Sequence, residues 1–296
     1  MKEILLLLLI FIVTLSISSC FRFRISDSAA FKKLGKLPYD LQIHRYTKDG
    51  YHTIRYFEIG RDSQPVVIFI HGGLGTSRDF MKYLKDTALL NHFKMIVPDR
   101  YGHGYSDFGE TEVRLQKQAE YLYPILKKAR IVGTKTILVG HSFGGTVVAR
   151  MAMDYPNMID NLVLSSPAID PRNEKKFWFN KILDFWAIKW MMPQNFIFAN
   201  DEKLAHAKQC LEMEPYWNKI TMPTVYIHGR NDLIVPFINY EFAKKHLLYA
   251  PVKYVLRDSL NHDFFVDKPK ILTNIILNIN DKKDVYQSPK AHLWSH

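Results

Sequence analysis

The run TILVGHSFGGTVVAR, residues 136–150, sets a β-branched stretch against an alanine-bearing helical pattern, and Ser142 falls at their junction. Gly140 and Gly144 stand two residues to either side of it. A serine hydroxyl is a poor nucleophile by itself. It attacks a carbonyl carbon only when a base takes its proton and nearby donors neutralise the oxyanion that forms. Glycines at both second neighbours leave room for a sharp strand-to-helix turn, which lifts the hydroxyl above the strand ends. The helix that follows aims its unsatisfied N–H groups at the reacting atom. The competing reading is a plain strand–helix turn without chemistry.

Such a serine needs a framework, and the rest of the chain supplies the elements of one. Short apolar or β-branched runs occur at 65–72, 93–100, 134–141, 161–167, 223–230 and 252–259. Several are apolar on both faces, as strands covered on both sides must be. Residues 42–60 read as a hairpin around Asp49-Gly50, a dipeptide suited to a tight turn. Helical spacing appears over 111–130, where Pro124 predicts a kink, and over 143–154, 238–247 and 267–279. Alternation of strands with helices predicts an α/β fold with a doubly wound, mostly parallel sheet. Residues 168–222 break the rhythm with no strand pattern, which predicts a helical cap inserted at 171–220. The core is then 41–170 together with 221–281, preceded by a tether at 20–40 and followed by a polar tail at 282–296.

Gly140-His141-Ser142-Phe143-Gly144 matches G-x-S-x-G, and from about residue 45 to 280 the chain resembles the α/β-hydrolase superfamily, in particular its serine esterases and lipases. IFIHGGLG resembles the family's HG-x-x-G segment. That resemblance implies an oxyanion hole formed by the N–H groups of Gly73 and Phe143, with glycine at 73 keeping the backbone approach open. VPDRYGHGYSD (97–107) resembles a structural loop of the family, so His103 is read as scaffold. The family's chain order is nucleophile, acid, histidine. It assigns the acid to Asp232, in the loop after IHGR, and the base to His262, after the last strand run. These lie ninety and thirty residues further along, enough for a cap and a strand–helix pair and then for one more helix and strand. Asp170 is the alternative acid. His71, His141 and His228 are read as packing residues, Asp263 as facing away from His262, and Asn261 stands where the family often has glycine.

The first twenty residues, MKEILLLLLIFIVTLSISSC, are read apart from the fold. The apolar stretch Ile4–Ile17 falls short of the roughly 20 residues of a spanning helix and suits a secretory signal at 1–19. Ile17-Ser18-Ser19-Cys20 resembles the bacterial lipobox, which implies lipidation of Cys20 and export to the cell envelope, with an outer-membrane address where the host has one. An ordinary cleaved signal, an uncleaved anchor, and a Cys20–Cys210 disulfide are the alternatives. The net charge of +11 is scattered rather than gathered into a tract, so it argues for a lysine-rich exterior near anionic lipid and against nucleic-acid binding.

Neither a metal-ligating pattern nor a dinucleotide fingerprint is present, so no cofactor and no metal are expected. The expected activity is hydrolysis of carboxylic esters, lipid esters or monoacylglycerols included, through an acyl-enzyme on Ser142. Other chemistry on the same residues (aminopeptidase, thioesterase, acyltransferase, C–C hydrolase) and a non-catalytic binding role are the alternatives. Phe179, Ile182, Leu183, Trp186 and Trp190 recur at helical intervals in the cap. This stripe is assigned first to packing on the core, and otherwise to an acyl pocket or a lid on membrane lipid.

Overall fold

The six apolar runs become the parallel heart of one eight-stranded sheet in the computed structural model, which describes residues 24–175, 180 and 185–280. Strands β3 (Val66–Ile70), β4 (Lys94–Pro98), β5 (Thr136–His141), β6 (Asn161–Ser165) and β7 (Thr224–Gly229) are buried along their whole length. The hairpin β1 (Gln42–Lys48) and β2 (His52–Ile59) turns at Asp49 and Gly50, both with positive φ, as a tight hairpin turn requires. With the edge strand β8 (Val252–Arg257), the order is β1-β2-β4-β3-β5-β6-β7-β8. The pairs β1–β2 and β2–β4 are antiparallel, and every pair from β4 onward is parallel.

Helices cover both faces. In chain order they are α1 (Asp27–Leu34), α2 (Met81–Leu84), α3 (Thr87–His92), α4 (Leu115–Val132), α5 (Phe143–Asp154), α6 (Trp186–Met191), α7 (Gln194–Met213), α8 (Asn239–His246), α9 (Phe264–Asp267) and α10 (Lys270–Asn280). Period-two alternation divides the strand side chains between two cores. Val66, Ile68 and Ile70 of β3 join α4, α5 and α8 in one, whereas Val67 and Phe69 join α1 to α3, α9 and α10 in the other. The chain therefore has the α/β architecture expected of it. Pro124 sits within α4, whose assignment runs unbroken through it.

Two expectations need correction. Residues 27–34, read as part of a tether, form the capped helix α1. Ser26 accepts a hydrogen bond from Ala29 N–H at 3.2 Å, Asp27 pairs with Arg45 and Arg55, and Ala30 and Leu34 are buried. A Ser cap and an apolar pair four residues apart suffice to dock so short a segment. The aromatic stripe does not pack on the core where it is described. Trp186 and Trp190 are 76% and 86% exposed, and Phe179, Ile182 and Leu183 lie outside the described residues. The next helix makes the contact instead, through Cys210 and Met213 of α7, while Phe198 of the same helix packs on His103 and Phe108.

Charge as well as apolar burial fastens α7. Glu202 is buried and meets the buried Arg100 guanidinium through both carboxylate oxygens, at 2.7 and 3.1 Å. It also accepts from Gln118 Nε2 at 2.8 Å and lies 3.2 Å from His103 Nε2. Burial alone would raise the Glu202 carboxyl, but Arg100 and His103 outweigh it and hold it at about 2. Its contribution to stability is therefore present above the ordinary carboxylate range and is lost only as pH falls through about 2. Removing one partner of such a pair strands the other charge in the interior. Glu202→Ala is expected to lower unfolding free energy at pH 7 by about 3–5 kcal/mol, read from its urea midpoint; an unchanged midpoint would refute the role.

Candidate active site

Ser142 sits between β5 and α5 with φ 55° and ψ −123°, a left-handed conformation that costs a non-glycine residue roughly 1–3 kcal/mol. Backbone hydrogen bonds hold it there. Its N–H donates to Ser165 O of β6 at 2.9 Å, and its carbonyl accepts from Gly145 N–H at 2.9 Å and Ala168 N–H at 3.3 Å. A Cβ on Gly144 would press into the carbonyl oxygens of Ile70 and His71, so only glycine lets α5 lie this close to the end of β3. A Cβ on Gly72 would come within 3.2 Å of the Ser142 Cβ, while one on Gly73 would meet nothing within 4 Å. The tight approach to the serine is thus made by Gly72, while the space around Gly73 is open.

His262 follows β8, just ahead of α9, and its Nδ1 lies 2.8 Å from Asp232 Oδ2. The other oxygen of Asp232 accepts from Ile234 N–H and Val235 N–H at 2.9 and 2.8 Å, and His228 Nε2 stands 3.4 Å from Oδ2. Burial opposes ionisation of this fully buried carboxylate. Hydrogen bonds from His228, His262 and Val235 N–H, together with the charge of His262, outweigh that and hold it far below the usual carboxylate range. An ionised Asp232 accepts the Nδ1 proton and leaves His262 Nε2 as the basic nitrogen. Ser142, His262, Gly73 and Phe143 all line one cavity of about 610 Å³. Phe143 is the first residue of α5, so its N–H has no intrahelical acceptor.

The remaining histidines divide between scaffold and cavity wall. His141 is buried 4.7 Å from the His262 ring and stacked on Phe265; burial, then the charge of His262, keep it well below its ordinary value. A neutral neighbour adds no repulsion when His262 takes a proton. His71 donates from Nδ1 to Gly72 O and accepts Arg100 N–H at Nε2, both at 2.9 Å. The alternative acid Asp170 is engaged in its own turn, with Arg172 N–H at 2.9 Å and Asn173 Nδ2 at 2.8 Å. Asp263 lines the cavity beside His262, but His262 Nδ1 bonds Asp232. Cys20 lies outside the described residues, and Cys210 is a buried free thiol.

Several residues in and behind the cavity wall escaped the reading of the sequence. Arg100 donates to His71 O and Gly72 O at 3.1 and 3.0 Å and lies 4.6 Å from the Phe143 ring, so it braces both loops beside Ser142. Its segment is visible in DRYGHG, but nothing local foretells a partner 102 residues away. On the cap side, His206 Nδ1 meets Glu174 Oε1 at 2.8 Å, and Nε2 meets Thr146 Oγ1 at 3.2 Å. The Thr146 hydroxyl proton is committed to Ala168 O, so both ring nitrogens of His206 donate. Burial opposes its charge, but Cys210 and Glu174 outweigh that and raise it to about 10. Lys203 bonds the same Glu174 oxygen at 2.7 Å. Leu74, Phe196, Ile234, Val235, Phe265 and Val266 make the remainder of the wall largely apolar. Among the described residues, no cluster of three or more His, Cys, Asp or Glu side chains could hold a metal ion.

Comparison with known proteins agrees with this architecture. The family model described as alpha/beta hydrolase fold matches residues 65–190, which hold β3 through β6 and Ser142. The chain is 25% identical over 189 residues to a lysophosphatidylserine lipase of Danio rerio, covering 60% of this chain and 46% of that protein. It is 32% identical over 120 residues to an uncharacterised protein of Mycobacterium bovis, covering 40% and 33%. It thus spans less than half the length of these curated relatives. Among solved structures, an esterase from Exiguobacterium antarcticum superposes with a TM-score of 0.64 at 18% identity, over 81% of this chain and all of that one. A membrane phospholipase A described as a bacterial virulence factor gives 0.62 at 18% identity, over 96% of this chain and 100% of that one. Sheet order, matched segment and structural likeness converge: the chain has the α/β-hydrolase fold.

Proposed function

We propose that the protein is a serine hydrolase that cleaves carboxylic esters, lipid esters among them, through an acyl-enzyme on Ser142. The observation that carries this reading is the Asp232–His262 hydrogen bond at 2.8 Å, with the imidazole and the strained Ser142 on the wall of one cavity. His262 Nε2 takes the hydroxyl proton as Oγ attacks the ester carbonyl carbon, and Asp232 stabilises the imidazolium. The N–H groups of Gly73 and Phe143 receive the oxyanion. The alcohol leaves with the proton from His262. Water, deprotonated by the same imidazole, then releases the acid and restores Ser142. An acyl chain suits the apolar part of the cavity wall. The names of the similar proteins, a lysophosphatidylserine lipase and an esterase, support ester chemistry.

The same proposal places the protein in the cell envelope, held by lipid on Cys20. The support is the apolar Ile4–Ile17 run and the small residues before that cysteine.

With p-nitrophenyl butyrate as substrate, Ser142→Ala is expected to lower kcat by at least about 10⁴-fold and to abolish labelling by a fluorophosphonate probe. Asp232→Asn is expected to lower kcat by roughly 10⁴-fold with little change in KM, because the imidazole loses the tautomer that serine attack requires. Turnover that survives Ser142→Ala would remove the assignment. In cells of a host that performs lipidation, Cys20→Ala should move the protein out of the membrane fraction or leave it unprocessed. A wild-type protein that is already soluble and begins after residue 20 would end the lipid-anchor proposal.

A further inference from the structure

Beside the cavity that holds Ser142 lies a second of about 680 Å³, and the two share Leu74 and Gly75 as wall. It is enclosed by the residues leading into α1, the loop after β3, the 103–108 loop and the first turn of α7. Three cations line it, Arg24, Lys33 and Arg78, and among the described residues no Asp or Glu does. Carboxylates on the neighbouring segments are engaged elsewhere, Asp107 with Thr53 N–H at 2.7 Å among them. Asp27 pairs with Arg45 and Arg55, Asp99 pairs with Arg55 and accepts Ser77 and Tyr105 N–H, and Glu202 pairs with Arg100. Asp79, against the loop, is raised to about 7, chiefly by burial.

The Lys33 ammonium is pushed down by burial and then by Arg78 and Lys85, with Asp79 only partly opposing. Arg24 is held over aromatic faces, its guanidinium carbon 4.2 Å from the Phe108 ring and 5.2 Å from Tyr105, which preorganises a planar fork of donors. A third, independent observation concerns Asn195 on the same wall. It is 8% exposed, and its amide nitrogen Nδ2 is buried without a hydrogen-bond partner. A buried donor left unmatched is costly and calls for an acceptor that is not supplied by the chain. Arg24 and Lys33 with no acid beside them among the described lining residues, the first a fixed guanidinium, and an orphan amide on the same concave surface share a single remedy: an anion with several acceptor oxygens.

We propose that the second cavity binds a phosphate-bearing group, with Arg24 and Lys33 as the principal charged donors, Arg78 adding positive potential and Asn195 donating from its amide. A phosphate offers three or more acceptor oxygens and matches the arginine fork. The group can belong to a phospholipid head or to a soluble phosphate. Arg24 lies four residues after Cys20, so a cavity at this point would meet lipid heads if the chain is membrane-attached. The proposal stands on charge and burial here and does not depend on catalysis at Ser142.

Calorimetric titration of the full chain carrying Ser142→Ala, which prevents turnover of lipid, tests it with two probes: inorganic phosphate, and dihexanoyl phosphatidylglycerol below its critical micelle concentration. Saturable binding of at least one probe is expected. Arg24→Gln and Lys33→Gln should each weaken it about tenfold, and Lys33→Arg should retain it, as expected for lost and kept charge-assisted contacts. Both side chains belong to exposed residues, so folding is checked simply by an unchanged Tm. Binding of phosphatidylglycerol alone supports a lipid head as the occupant, and binding of both probes supports a general phosphate site. No binding of either probe, or binding that both glutamine variants keep at wild-type strength, overturns the proposal.

Discussion

Everything at the site depends on how closely α5 approaches β3. Gly144 has no Cβ to strike the carbonyl oxygens of Ile70 and His71, and Gly72 leaves only a narrow gap beside Ser142. Packed this tightly, the backbone at 142 cannot relax from φ 55° into an ordinary region without withdrawing the helix from the sheet. The strain, roughly 1–3 kcal/mol, is offset by hydrogen bonds from β6 and the first turn of α5, and by two apolar cores that would open if the helix moved. The hydroxyl is therefore held in position by packing, before any ligand arrives.

Burial of charge follows two patterns in this molecule, and each does a different job. Asp232 is buried against backbone N–H groups and two imidazoles, which keep it anionic and so determine which nitrogen of His262 bears the proton. Arg100 and Glu202 are buried against each other, and the excess donors of Arg100 reach the carbonyls of His71 and Gly72. The first pattern sets chemistry. The second ties the cap helix α7 to the loop beside Ser142, so cap position and loop geometry are coupled through one guanidinium.

Strands were legible because fully buried parallel strands must be apolar on both faces, and the runs at 65–72, 134–141 and 161–167 are. Ser142 was legible because its conformation demands a local pattern, glycine at 140 and 144, that few other structures need. Pairings across long separations left no such trace. Nothing around Glu202 or His206 marks them as wall residues, since their partners Arg100, Glu174 and Thr146 are supplied by other elements. The α1 helix was missed for the opposite reason: eight residues with a single Ser cap carry too little periodicity to stand out from a linker. The aromatic stripe misled because helical spacing of large side chains signals a common face, not what that face meets.

The cap resolves into two chemically distinct surfaces. Toward the cavity, α7 presents Lys203 and His206 around Glu174, a hydrogen-bonded wall set among apolar neighbours. At the preceding helix α6, Phe185, Trp186 and Trp190 are exposed and do not line that cavity. A helix that merely closed the cavity would reverse this, with its aromatics inward and its charges outward. The polar inner wall is tolerable because each charge has a partner, and those partners constrain where a polar portion of a bound molecule can rest. Under the ester hydrolysis proposed above, Leu74, Phe265 and Ile234 are the part of this wall suited to an acyl chain, and the Glu174 group is the part suited to a polar portion of the same molecule.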